Sequence, residues 1–331
     1  MVKLNGKRAE DILSNISGKS IAVIGDVMLD RYFWGSVSRI SPEAPVPVID
    51  IERETFHLGG AANVAKNLKT LGARPFLCGV IGADYYGRTF TEIARGSGID
   101  TDGLYPDDVR PTTVKTRIIG NNQHIARLDR EITNPLSEAG EQFIIDKLEA
   151  AENLSGVIFE DYDKGAIERR LIERVSAFCR KRGIPVFVDP KFDNFFSYKD
   201  CFLFKPNRKE AEKALGFKLT DKESIRAAGA KLLNLLNCEN VLITLGAEGM
   251  TLFERGGDVS GVRTRARQVA DVSGAGDTAI ATLAAAIAGG AKIKEAAAMA
   301  NFASGIVCEK PGIVAIEPED LINSINLNGS R

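Results

Sequence analysis

The feature that most constrains this chain is an alternation. Short apolar runs are separated by longer stretches with helical spacing. The strand-like runs are Ser20–Met28, Arg74–Gly82, Gly156–Tyr162, Ile184–Pro190, Cys201–Asn207 and Asn240–Gly246. The helix-like stretches are Ala61–Ala73, Tyr85–Ile99, Ala166–Gly183 and Lys222–Asn237, several of them closed by a glycine stop. A strand that is apolar at successive positions has no face for water, so its sheet must be covered on both sides. Strands of that kind alternating with amphipathic helices predict an α/β fold with a mostly parallel central sheet, joined by right-handed crossovers.

Two segments break the rhythm. Pro45–Gly60 alternates apolar and polar residues beside prolines, and Thr112–Glu131 reads as two alternating strands about Gly120-Asn121-Asn122. These are expected to be half-exposed antiparallel strands. They would form a small β-sheet lid from about 31–57 and 110–131, standing off the main sheet as a cover or a dimer surface. No internal repeat or linker interrupts the chain, so residues 1–331 are read as a single domain.

Composition removes several function classes. With 44% hydrophobic residues and a net charge of -1, the chain is a folded one. It also lacks the basic field that holds nucleic acid or an anionic membrane, so neither is an expected partner. The N-terminus shows no apolar core of signal-peptide length, and Thr282–Ala291 is too short to span a bilayer. The five cysteines form no CxxC pair and read as reduced thiols of a cytoplasmic protein. Two histidines, His57 and His124, leave little for a zinc site or a histidine-based triad.

Asp271–Gly290 carries the most chemistry. Gln268–Val272 reads as a strand end, and the Ala-rich run after Asp277 is a strong helix former. Between them, Gly274, Ala275 and Gly276 allow a tight turn that aims backbone N–H groups at one point, at the positive end of a helix. Asp277 then sets a carboxylate beside an anion cradle. That pair suits phosphoryl transfer: the amides stabilise the moving charge, and the carboxylate takes the acceptor's proton. The plainer reading is an aspartate that caps its helix. Walker A (GxxxxGK[ST]) and GxGxxG are both absent from the corresponding places. Asp26 and Asp30 follow the first strand, and Gly59, Gly60 and Asn63 open the next helix. Together they offer groups that can bracket a polyol near strand carboxyl ends.

Gly59–Ala73 (GGAANVAKNLKTLGA) and Asp271–Thr278 (DVSGAGDT) resemble the two signatures of the ribokinase, or phosphofructokinase B, family of sugar kinases. Gly25–Val48, Asn121–Glu131 and Asp161–Ile167 are similar to its D-glycero-β-D-manno-heptose-7-phosphate kinase branch, and the similarity runs from Ser20 to Ile316. The resemblance implies a ribokinase-like fold and an ATP-dependent kinase that phosphorylates the anomeric C1 hydroxyl to the 1,7-bisphosphate, for ADP-heptose and lipopolysaccharide core synthesis. It implies Asp277 as base and Gly274, Ala275 and Gly276 as anion hole. Asn207 and Glu210, from the NxxE motif, would shape the nucleotide and Mg²⁺ environment, Glu210 through water. Thr244, Gly246 and Gly249 would line the ATP site, with Asn301 on its adenine side. Asp30, Gly59, Gly60 and Asn63 would contact sugar hydroxyls. The 7-phosphate candidates are Arg31, Arg39, Arg117, Arg127 and Lys164, with Arg127 and Lys164 put forward.

Relatives commonly carry a small residue where this chain has Glu160, a carboxylate that disfavours a phosphate if it faces one. Many relatives also carry a C-terminal adenylyltransferase domain; without an HxGH signature here, that activity is expected on a separate polypeptide. A homodimer through the lid is expected, and a monovalent-cation requirement stays open. The competing readings are another sugar or sugar-phosphate kinase of the family (fructose phosphate, ribose or nucleoside), a silent binding relative and a nucleotide-dependent oxidoreductase.

Overall fold

The computed structural model describes residues 4–262 and 271–329. The first half of the chain runs α1 (Gly6–Ile16), β1 (Ser20–Gly25), β2 (Val27–Ile40), β3 (Pro47–Gly60), α2 (Ala61–Thr70), β4 (Arg74–Gly82), α3 (Tyr85–Gly96) and β5 (Asp100–Asp107). Then come β6 (Val114–Gly120), β7 (Gln123–Arg130), α4 (Glu138–Ala150), β8 (Leu154–Glu160), α5 (Arg169–Arg182), β9 (Val186–Asp189) and β10 (Leu203–Phe204). The remainder is α6 (Arg208–Leu215), α7 (Lys222–Leu236), β11 (Asn240–Thr244), a short 3₁₀ turn, β12 (Met250–Glu254), β13 (Val259–Val262), α8 (Ala275–Ala288), α9 (Ile293–Cys308) and α10 (Pro318–Gly329).

Nine strands form the main sheet in the order β13-β12-β11-β10-β9-β8-β1-β4-β5. All pairings from β11 to β5 are parallel, and β12 and β13 add an antiparallel edge. Alternate residues of β1 enter two cores. Ile21 and Val23 pack with α1, α2, α8 and α9, whereas Ala22 and Ile24 pack with α4, α5 and α7. That two-sided burial is the reason the strands read as unbroken apolar runs. From β1 the chain winds outward through β4 and β5, then returns to build β8 to β11 on the other flank. The reversal falls between β1 and β8, and the carboxyl ends of strands at such a reversal leave a crevice that no crossover fills.

The lid is a second sheet in the order β3-β2-β6-β7. Asn121 and Asn122 both adopt left-handed backbone at φ 51° and 62°, the requirement of a two-residue hairpin turn. Two expectations need correction. The strands reach past the expected bounds, to Val27 and Gly60, because they continue directly out of β1 and into α2. They are also not all antiparallel: β2 and β6 pair in parallel from Leu29↔Val114 to Gly35↔Gly120. In the run Cys201–Asn207 only Leu203–Phe204 pairs as strand. Of the expected strand end Gln268–Val272, residues 268–270 lie outside the described residues, and Asp271 and Val272 are not in a strand. The five cysteines are free, four of them buried.

Candidate active site

The site starts from the first turn of α8. Gly274 caps the helix at φ 78°, a conformation that side chains resist. A Cβ there would stand 2.7 Å from Asn63 Nδ2, so any other residue would push the Asn63 amide aside. The first N–H groups of a helix have no carbonyl partner within it, so those of Gly276 and Asp277 are available to an anion. Asp277 does not cap its own helix. Its Oδ2 accepts from Asn63 Nδ2 at 2.8 Å, and its Oδ1 accepts from Tyr162 Oη at 2.8 Å. The carboxyl is buried, and burial raises it above the ordinary carboxylate range, the two hydrogen bonds pulling the other way.

Beneath the loop lies a buried set of charges. Glu160 and Asp189 are register partners at the carboxyl ends of β8 and β9. Lys205 Nζ pairs with Asp189 at 2.7 Å, and Lys191 Nζ with Glu210 at 2.7 Å. A Cβ at Gly276 would lie 3.6 Å from Asp189 Oδ2 and 3.7 Å from Lys205 Nζ, so this pair floors the anion loop. Burial alone would lower the Lys205 ammonium, but the paired Asp189 carboxylate, the foremost opposing influence, raises it and keeps it charged. Glu160 Oε2 is buried without a hydrogen-bond partner, and burial with the nearby Asp189 and Asp277 charges raises its carboxyl far above the usual range.

Asp26, the single residue between β1 and β2, is buried and turns into the protein. Its carboxylate accepts from the main-chain N–H of Tyr162 (2.7 Å), Lys164 (3.1 Å) and Ala166 (3.1 Å). It therefore shapes the loop that carries Tyr162. Asp30 sits on β2, buried, in a salt bridge with Arg117 of β6. Gly59 has to be glycine beside it, since a Cβ would come within 2.2 Å of Asp30 Oδ2. Gly60, at φ 58°, starts α2 and so places Asn63. Strand register puts His57, Asp30, Tyr32 and Arg117 on one face of the lid. Tyr32 and Arg117 both feel the Asp271 charge, so this face looks toward the glycine loop.

The basic candidates separate by position. Arg31 lies on the opposite lid face, bonded to Glu54 and to Tyr86 Oη. Arg39 is exposed near the far end of β2. Arg127 is bonded to Asp129, and Lys164 Nζ to Glu131 at 2.7 Å, so the lid's own carboxylates already engage both. Asn207 and Glu210 form a capping box at the start of α6, and the box with Lys191 occupies both Glu210 oxygens. Glu210 so placed fits an outer-sphere role: it can accept water but not wrap a dehydrated ion. Among the described residues, no group of three His, Cys, Asp or Glu side chains is gathered to hold a metal directly.

Thr244 bridges to Asn207, and Gly246 (φ 62°) and Gly249 (φ 94°) shape the turn after β11. Beside that turn opens a cavity of about 580 Å³, lined by Ile225, Leu245, Ala247, Met250, Val259 and Gly261 among others. Its lining also includes Lys222, Arg226 and Glu248, and the apolar part of the wall suits a flat heterocycle. Thr244, Gly246 and Gly249, expected to line the nucleotide site, are not among the residues lining this cavity, and neither is Asn301, buried in α9.

The pfkB family carbohydrate kinase model matches residues 19–320. The chain belongs to that family. The kinase is 42% identical over 320 residues to "Bifunctional protein HldE" of Geobacter sulfurreducens, covering 96% of this chain and 65% of the relative. It is 43% identical over 313 residues to the protein of that name from Desulfatibacillum aliphaticivorans, covering 93% of this chain and 63% of the relative. The chain thus spans just under two thirds of these curated relatives. Escherichia coli phosphofructokinase-2 in complex with substrates and products superposes with a TM-score of 0.78 at 18% identity, covering 95% of this chain and all of that one. Arabidopsis thaliana ribokinase complexed with ribose and ATP gives 0.73 at 21% identity, covering 93% and 99%. At those identities the likeness is one of fold, and it is ribokinase-like.

Sequence reasoning placed Asp277, Gly274–Gly276 and Asn63, and the structure brings them together. It missed Tyr162, Asp189, Lys191 and Lys205. All four stand at or just past strand carboxyl ends, in DYDKG, VDPK and FKPN, and that location was the available signal.

Proposed function

We propose that this kinase transfers the γ-phosphoryl group of ATP to the anomeric hydroxyl of D-glycero-β-D-manno-heptose 7-phosphate, giving the 1,7-bisphosphate. The observation that carries the transfer chemistry is the Asp277 carboxylate, held by Asn63 and Tyr162 at the mouth of the α8 amides. The sugar assignment is supported by the identity to the HldE proteins and by the motifs at Gly25–Val48 and Asp161–Ile167.

In this reading the acceptor lies between the lid and the α8 loop. Asp30, with Gly59 and Gly60, orients its hydroxyls, and Asn63 holds the base. Asp277 accepts the anomeric proton as the oxygen attacks in line. Of the Gly274–Gly276 loop, the Gly276 N–H, together with that of Asp277, then faces the charge that builds on the phosphoryl oxygens, because the Ala275 N–H donates to Val272 O. The nucleotide base occupies the cavity beside Gly246–Gly249, reached along Thr244, and Asn301 supports that region from α9. Glu210 would hold, through water, a Mg²⁺ bound with the nucleotide, and that ion would supply neutralisation of phosphate charge. For the 7-phosphate, what supports Arg117 is its place on the lid face toward Asp271; Arg127 and Lys164 serve by exchanging their present carboxylate partners. The lid also serves as a homodimer surface in this reading, and Ile51 and Leu128 are exposed on its strands.

The test is an acceptor panel with purified protein, read by ADP release and by ³¹P NMR of the product. A new anomeric phosphate on the heptose 7-phosphate, with far slower turnover on fructose phosphates, ribose and nucleosides, is expected. Preference for an unphosphorylated sugar overturns the assignment.

A further inference from the structure

We infer that Tyr162 is a positioning residue for the base: its hydroxyl, held in place from behind by Asp26, fixes the Asp277 carboxylate against the acceptor. This rests on the assignment of Asp277 as base. Three observations support it. Tyr162 is gripped at both ends, its main-chain N–H donating to Asp26 Oδ2 at 2.7 Å and its hydroxyl to Asp277 Oδ1 at 2.8 Å. Its loop has little freedom, because Asp26 also takes the N–H groups of Lys164 and Ala166, with Asp163 and Gly165 in left-handed backbone between. The hydroxyl also stays a donor. Burial, with the Asp277 charge beside it, holds the phenol well above its ordinary range.

Asn63 reaches the other oxygen from α2, and Asn63 is itself held by Asn67 one turn on. The base is thus tied from two elements far apart in sequence. A carboxylate fixed at both oxygens cannot rotate, so its remaining lone pairs keep one direction, as an in-line transfer requires. The other charged groups around it are Asp189 of β9, Glu160 of β8 and Lys205 beyond β10. Among the described residues, only Tyr162 and Asn63 donate side-chain hydrogen bonds to the carboxylate.

The test is Tyr162→Phe, which keeps the ring and removes the donor. The expected result is a fall in kcat of about tenfold, the usual size for one lost hydrogen bond to a charged group, with the KM for ATP within about twofold. The acid limb of the kcat–pH profile moves to higher pH, because the removed bond favoured the charged carboxylate. A merely structural role does not move that limb. Site-specific 3-fluorotyrosine at 162, a stronger donor with the same packing, moves it to lower pH and keeps the test open if the Phe variant folds poorly. Unchanged turnover and pH profile in both proteins overturns the inference. Asp277→Asn run alongside separates the failures: loss of turnover there with a wild-type Tyr162→Phe profile sinks only the positioning role, whereas retained turnover in Asp277→Asn sinks the base assignment itself.

Discussion

Asp277→Asn separates chemistry from folding unusually well at this site. The amide is isosteric with the carboxylate, and both neighbours can serve it. Asn63 Nδ2 would still donate to the amide oxygen, and the Tyr162 hydroxyl can rotate to accept from the new NH₂. The substitution weakens two charge-assisted hydrogen bonds, each by roughly 1 kcal/mol. Against that, it removes a charge from a buried site where the fold already disfavours it, as the raised Asp277 carboxyl records. The two effects oppose, so stability is expected to stay within about 1 kcal/mol and the melting temperature within about 3 °C. Turnover is another matter, because an amide cannot take the acceptor's proton. Loss of a general base costs about 10²- to 10⁴-fold, or about 2.7–5.5 kcal/mol of barrier. Saturating ADP-release assays, the KM for ATP and thermal unfolding on one preparation decide it. A folded variant that turns over within threefold of wild type refutes the reasoning.

Three further outcomes are expected. Gly274→Ala forces a side chain into left-handed backbone at about 1–2 kcal/mol; it also pushes Asn63 off Asp277, so melting temperature and turnover both fall, and unchanged kinetics would contradict the packing at that contact. Glu160→Gln tests the unpartnered carboxyl through stability. A carboxyl whose folded value is raised keeps a proton that the unfolded chain has lost, so wild type loses stability as pH rises from the ordinary carboxylate range toward the folded value, by at most about 1.4 kcal/mol per pH unit. The Gln variant lacks that slope, so its advantage in urea unfolding should grow from about pH 5 to about pH 8, and a constant difference argues against it. Gly261→Phe fills the cavity beside β12 without meeting any atom within 4 Å of its Cβ; the KM for ATP should rise about tenfold or more with the melting temperature little changed, and an unaltered KM removes the nucleotide from that cavity.

What the sequence disclosed follows the range of the interactions involved. The main sheet was legible because each parallel strand carries its burial in its own composition. The β6–β7 hairpin was legible because Asn121-Asn122 encodes its turn locally. The parallel pairing of β2 with β6 was not, since Leu29 and Val114 meet only after β4, α3 and β5 have been laid down between them. The same holds in the site. Asp277 could be found from its glycines, and the Asn207–Glu210 spacing is itself a capping box. For Tyr162 the sequence offered only its place past a strand end, because its meeting with Asp277 depends on Asp26 drawing three amides of a distant loop around itself. The charged floor under Gly276 stayed hidden for a related reason: Glu160, Asp189 and Lys205 come from separate strands and become neighbours only through sheet register.

One residue, Asp26, separates the main sheet from β2, and none separates β3 from α2. At β2 and β3 the lid is consequently built straight into the body, whereas β6 and β7 join it through residues 108–113 and 131–137. Its compliance lies further out, where the pairing of β2 with β3 slips at Trp34/Gly35 and again at Val37/Arg39. The regular β2–β3 pairing at the root thus gives way to irregular pairing toward the outer end.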